Sequence, residues 1–153
     1  MKGFGFFLVL FFIAANVYAQ KGANFGIEEV KIKIYDNEKD AVVKAQTNPY
    51  GNGMDLFVSV LVSQSVEADN DYLVEVRGFG KGRENEAEGL VEDYKTSAKK
   101  TFRLFHKQKR YIPFIVEFSC TLETSFTVTL TQKSTGKKVS KTVKTQLGNC
   151  NLN

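Results

Sequence analysis

Val30, Ile32 and Ile34 alternate with Lys31 and Lys33, the period of two that buries one face of a β-strand. The clearest instance is Met54 to Gln64, where Leu56, Val58, Val60 and Val62 fall on one face and Phe57, Ser59, Leu61 and Ser63 on the other. Tyr72, Val74 and Val76 then alternate with Leu73, Glu75 and Arg77 up to Gly78, and the turn-like Glu67 to Asp71 between the two runs predicts a hairpin. Ala41 to Thr47 is a weaker strand ended by Asn48-Pro49-Tyr50-Gly51-Asn52-Gly53, in which Pro fixes φ and Gly and Asn accept positive φ. Further along, Thr101 to His106 carries Phe102 and Leu104 on one face, and Ile112 to Cys120 carries Phe114, Val116 and Phe118. Ser125 to Thr131 turns Phe126, Val128 and Leu130 inward against Thr127, Thr129 and Thr131; Ser134-Thr135-Gly136-Lys137 then links it to a last strand, Lys138 to Thr145. Between Arg83 and Lys95 acidic residues mix with Leu90, Val91 and Tyr94, and Gly89 interrupts any short helix, so an exposed connection with one irregular strand is expected.

Short strands with turn signals between them, and no amphipathic helix to carry parallel crossovers, predict an all-β fold: an antiparallel immunoglobulin-like β-sandwich of seven or eight strands. A closed barrel is the second architecture that alternation allows. An outer-membrane barrel needs an apolar outer face on every strand, which Lys138, Lys141 and Lys144 deny to the last one. Lysines there suit a sheet edge, where they discourage pairing with another chain.

The first 19 residues change the picture of where the fold resides. Met1-Lys2 is a short positive start, Phe4 to Ala15 is almost unbroken apolar sequence, and Val17-Tyr18-Ala19 has the form a signal peptidase reads. Residues 1–19 are therefore expected to be a cleavable signal and residues 20–153 a single domain, secreted or periplasmic, with no stable membrane span because no second apolar run is long enough. In that oxidising setting Cys120 and Cys150 are expected to form one disulfide tying the tail to the body.

Net charge is +4 overall, but from Gln20 to Tyr94 there are 8 basic and 15 acidic residues, and from Lys95 to Asn153 there are 12 basic and 2 acidic. Lys99, Lys100, Arg103, Lys107, Lys109 and Arg110 crowd one stretch and make a candidate partner-binding patch for an acidic partner. Nucleic acid is disfavoured by export, by the moderate net charge and by the lack of a binding motif. Gly78-x-Gly80-x-Gly82 lacks the spacing and the following helix of a phosphate loop, and reads as a flexible hairpin loop. The single His, His106, has no carboxylate beside it in sequence to orient it. Asp36, Asp40, Asp69 and Asp71 lack calcium-loop spacing, and one His with two Cys does not make a four-ligand zinc site. No catalytic residue, metal or cofactor is predicted.

The succession Leu56-Phe57-Val58-Ser59-Val60, Tyr72-Leu73-Val74-Glu75-Val76-Arg77, a Gly-containing polar loop, Thr101-Phe102-Arg103-Leu104 and a closing Thr-rich hairpin resembles the small periplasmic immunoglobulin-like proteins of curli assembly, the CsgC and CsgH group. The resemblance spans about Met54 to Val143; the Cys-x-Cys pair of some members is absent, and the segment from Arg83 to Lys100 has no counterpart there. It implies a non-enzymatic module that binds a polypeptide partner, an acidic or amyloid-forming exported protein, and restrains its assembly. A structural or adhesive subunit of an extracellular assembly is the alternative, and a small hydrolase is the third class.

Overall fold

The computed structural model describes residues 25–44, 53–66, 68–85 and 89–146. The expected signal segment, Glu67, residues 45–52 of the second strand and its turn, and Cys150 lie outside these. Among the described residues ten strands follow one another: β1 (Phe25–Asp36), β2 (Ala41–Val43), β3 (Met54–Gln64), β4 (Asn70–Gly80), β5 (Arg83–Asn85), β6 (Gly89–Val91), β7 (Tyr94–Leu104), β8 (Lys109–Glu117), β9 (Thr124–Gln132) and β10 (Lys138–Thr145). Eight of them build two antiparallel four-stranded sheets, ordered β2-β1-β3-β8 and β10-β9-β4-β7, packed face to face as a β-sandwich; β5 and β6 form a separate small hairpin.

The alternating apolar sets meet in one core. Leu56, Val58, Val60 and Val62 of β3 lie opposite Tyr72, Val74 and Val76 of β4 and Phe126, Val128 and Leu130 of β9, all 0% exposed. These strands are the inner members of their sheets, so each apolar side chain is covered from three directions. Complete burial of a Val or Leu side chain is worth about 1.5–3 kcal/mol each.

Two expectations need correction. β3 and β4 are not a hairpin: β3 pairs with β1 and β8, and β4 with β7 and β9. Both strands bury their whole inner face, and stacking across the sandwich covers both faces at once; a hairpin in one sheet would point them the same way. Gly78 and Gly80 are not in a flexible loop but close the inner face of β4, where a Cβ on Gly78 would stand 2.7 Å from the Phe126 ring and one on Gly80 would stand 2.1 Å from Thr121 Oγ1. Close approach of neighbouring side chains, not backbone freedom, requires glycine there. Cys120 is the single cysteine among the described residues and is not a free thiol; Cys150, its expected disulfide partner, lies outside them.

Polar groups seal the ends. Gln64, buried at the end of β3, donates from Nε2 to the carbonyls of Ala68 (2.9 Å) and Leu104 (3.1 Å) and accepts from the Tyr72 hydroxyl and from Asn70 Nδ2 (3.2 Å). At the opposite end the hydroxyls of Ser119, Thr121 and Thr124 close a buried ring at 2.5, 2.8 and 3.0 Å. Buried polar atoms satisfied in this way define where the core stops without a desolvation penalty.

Candidate binding surfaces

Cross-strand partners point to the same side of a sheet, so the register assigns every charged side chain to a face. The six cations singled out in sequence do not form one patch. Lys99 and Arg103 pair with Glu75 and Asp71 and face outward from the β4 sheet. Lys109 faces outward from the β3 sheet, on the other side of the sandwich, and is ion-paired to Glu28 at 2.8 Å. That contact holds the Glu28 carboxyl below its ordinary value, the hydrogen bond from Lys109 being the largest cause. Lys107 sits at the exposed β7–β8 turn in the left-handed region, at φ 55°. Arg110, second residue of edge strand β8, lies opposite Val62 and is exposed. Lys99, Arg103, Lys107 and Arg110 make no ion pair among the described residues, so they are the members of the set open to a partner's charge.

Lys100 belongs elsewhere. It pairs with Val74 on the inner face of β7, lays its ammonium 5.2 Å from the centre of the Phe114 ring and donates a hydrogen bond to the Pro113 carbonyl of β8. Because N and C=O of one strand residue point the same way, Pro113 directs both toward this edge, and its missing N–H costs the β3–β8 ladder nothing. Lys141 does the same at the opposite seam: it shares the inner face of β10 with Val139 and Val143, and its ammonium donates to the Glu28 carbonyl of β1 at 2.8 Å. Glu28 is the extra residue of a bulge that shifts the β1–β3 register between Ile27 and Glu29. Each edge of the β4 sheet is thus guarded by an inward lysine that satisfies a carbonyl of the facing sheet. Period-two reading contains the signal for both, since Lys100 and Lys141 occupy apolar-parity positions.

Among the described residues, the outer face of the β3 sheet carries the most exposed of the large apolar side chains on the sandwich strands. Tyr111 and Ile115 of β8 are 55% and 57% exposed and stand beside Leu61 and Phe57 of β3, their cross-strand partners, with Pro113 between them. Lys31 and Lys33 of β1 border this strip across β3, Lys31 being paired to Glu29 at 2.8 Å. The alternation of Phe114 and Val116 marks the inner face of β8, while Pro113 interrupts the apolar run of Tyr111 and Ile115 on its outer face.

A second feature is a cleft of about 460 Å³ where β1, β2 and the end of β10 meet, lined by Ile32, Ile34, Val42, Val43 and Thr145 with Lys33, Lys44 and Gln146 at its rim. His106, placed far from it in the β7–β8 turn, lies 3.7 Å from Asp69, a neighbour that sequence proximity did not supply. Among the described residues no group of three or more His, Cys, Asp or Glu side chains could hold a metal ion. No protein-family model matches this chain and no curated protein matches it, so the geometry of these surfaces is what its function is read from.

Proposed function

We propose that this is an exported, non-enzymatic binding module, an immunoglobulin-like sandwich that holds an extended, aggregation-prone polypeptide with acidic flanks and restrains its self-assembly. The observation that carries the reading is the apolar strip of Tyr111 and Ile115 along β8, more than half exposed and bordered by lysines. Exposed aromatic and aliphatic side chains in a row suit an extended apolar segment, and the surrounding cations favour acidic flanking residues while steering encounter. The guarded edges support the same reading. With an inward lysine on each of its edge strands, the β4 sheet is protected from pairing with β-prone clients or with a second copy.

The test uses a short amyloid-forming peptide with glutamate flanks, followed by dye fluorescence at substoichiometric amounts of the protein and at two salt concentrations. The protein lengthens the lag phase, more so at low salt; Tyr111→Ser with Ile115→Ser removes most of the delay, and Lys31→Glu with Lys33→Glu, the lysines that border the strip, removes its salt dependence. No delay at either salt, with the protein verified as folded, rejects the reading and leaves the structural or adhesive subunit as the better account.

A further inference from the structure

We infer that the outward face of β7, continued onto Phe79 of β4, is a binding rail for an extended carboxylated polysaccharide. It lies on the opposite outer face of the sandwich from the β8 strip and does not depend on it. Along β7 the outward positions read Lys95, Ser97, Lys99, Thr101 and Arg103, a strict alternation of cation and hydroxyl, and all five are exposed. Successive cations are four residues apart, about 13 Å, so the row from Lys95 to Arg103 covers about 26 Å of extended strand. Among the described residues these cations have no ion-pair partner, and Ser97 and Thr101 make no side-chain hydrogen bond. The rest of the face is more occupied. Glu75 is held by Arg77 at 3.0 Å, Thr127 is bonded to Thr142 at 3.0 Å, and Thr129 to Ser140 at 2.9 Å. Asp71 stands across from Arg103, and Asp93, close to Lys95, is already paired to Lys81 at 3.0 Å.

Phe79 supplies the non-ionic part. It is the cross-strand partner of Lys95, is 47% exposed, and with Arg77, Lys95 and Ser97 lines a shallow depression of about 370 Å³. Gly78 and Thr96 line it too; both have inner-face parity, so on this side they contribute backbone. A sugar ring set in the depression lays its C–H face on the Phe79 ring while its carboxylate meets Lys95. The chain then runs past Ser97 and Thr101, whose hydroxyls both donate and accept, as a polyhydroxyl ligand requires. Charge density points to the class of chain. One cation every 13 Å or so on a flat strand complements sparse carboxylates, whereas a heavily sulfated chain carries more charge than this row neutralises. One aromatic platform is too few for a single-stranded nucleic acid, which stacks successive bases. A flat polar face with Phe79 as its one exposed large apolar side chain also lacks the apolar stripe that enters a lipid surface.

The probe is hexagalacturonate, with its fully methyl-esterified form as the uncharged control, titrated into the full chain with calorimetry and amide NMR shifts as readouts. The acid binds, the ester binds at least about tenfold more weakly, and the shifts fall on β7 and around Phe79. Lys95→Glu with Lys99→Glu, both exposed, weakens the acid by at least about tenfold and removes most of its salt dependence; Lys95→Gln with Lys99→Gln is intermediate. Phe79→Ala weakens the acid about tenfold and leaves the salt dependence as it was. Lys31→Glu with Lys33→Glu, an equal change of charge on the other outer face, alters affinity by less than about twofold. Absence of binding, equal affinity for acid and ester, or full affinity in the folded β7 or Phe79 variants overturns the proposal. An equal loss in the Lys31 and Lys33 variant also overturns it, since net charge alone would then explain binding. Tighter binding of poly-glutamate, a heparin fragment, oligothymidylate or anionic phospholipid vesicles gives the face to another class of polyanion and rejects this one. Affinity lost in Tyr111→Ser with Ile115→Ser places the sugar chain on the β8 strip and rejects the β7 site, while loss of client holding in that variant with sugar binding intact leaves it standing.

Discussion

Replacing Lys141 by valine turns the guarded edge of β10 into an adhesive one. In the folded chain the Lys141 stem lies between Val139 and Val143 on the inner face and its ammonium caps the Glu28 carbonyl, so valine preserves the strand and its packing parity and loses one exposed charge-assisted hydrogen bond. That loss costs the monomer about 1 kcal/mol. The larger effect is between molecules. A second β10 added to this eight-residue edge covers the seam through which the ammonium reaches water. Taking about 2 kcal/mol per ammonium, discounted for its exposure, the two lysines of a β10–β10 pair oppose association by about 4 kcal/mol, or about a thousandfold in the dimerisation constant. Sedimentation velocity over a wide concentration range measures this directly. Lys141→Val self-associates at concentrations where the parent is monomeric, while Lys138→Val and Lys144→Val, on the outward face of the same strand, change association by less than about tenfold. A folded Lys141→Val protein that stays monomeric throughout, or equal association by the three variants, refutes the edge-guard account.

Gly80→Ala brings a methyl to within 2.1 Å of Thr121 Oγ1, an atom locked in the buried hydroxyl ring, and lowers stability by about 2 kcal/mol in chemical denaturation. Gly26→Ala meets nothing within 4 Å and serves as the near-neutral control. Tyr72→Phe removes one donor from Gln64 Oε1 but leaves Asn70, costing about 1 kcal/mol; Gln64→Ala leaves the Leu104 carbonyl and the Tyr72 hydroxyl unpaired and costs about 3 kcal/mol, with a double-mutant cycle showing coupling between the two. Burial raises the Tyr94 phenol far above its ordinary value, and raises Tyr72 in the same direction. Folded values above unfolded ones mean that the neutral phenols contribute fully below about pH 10 and that stability falls as pH rises beyond it. Tyr94→Phe, which gives up the 2.7 Å bond to the Glu117 carbonyl, flattens that alkaline decline in urea midpoints; an unchanged slope contradicts the assignment.

The period of two along the chain was enough to determine that the protein is all-β, which residues face the core and where β3, β9 and β10 run, because one buried face per strand imposes that period whatever the partner. It did not determine which strands pair. β3 and β4 read as a hairpin and lie in different sheets, since alternation is the same for strands side by side and strands face to face. The small β5–β6 hairpin and the full length of β7 were illegible for a related reason: an edge strand or surface hairpin has little apolar periodicity to display. The cations of Lys99 to Arg110 looked like one patch because they are close in sequence. Tertiary structure dispersed them over both outer faces, a turn and an inner seam, since neighbouring residues of a strand point opposite ways and β7 and β8 belong to opposite sheets. Lys100 and Lys141 stood at apolar parity in plain view, but parity gives a face and not a neighbour. Only the packing of the two sheets brought their ammonium groups to the carbonyls of Pro113 and Glu28.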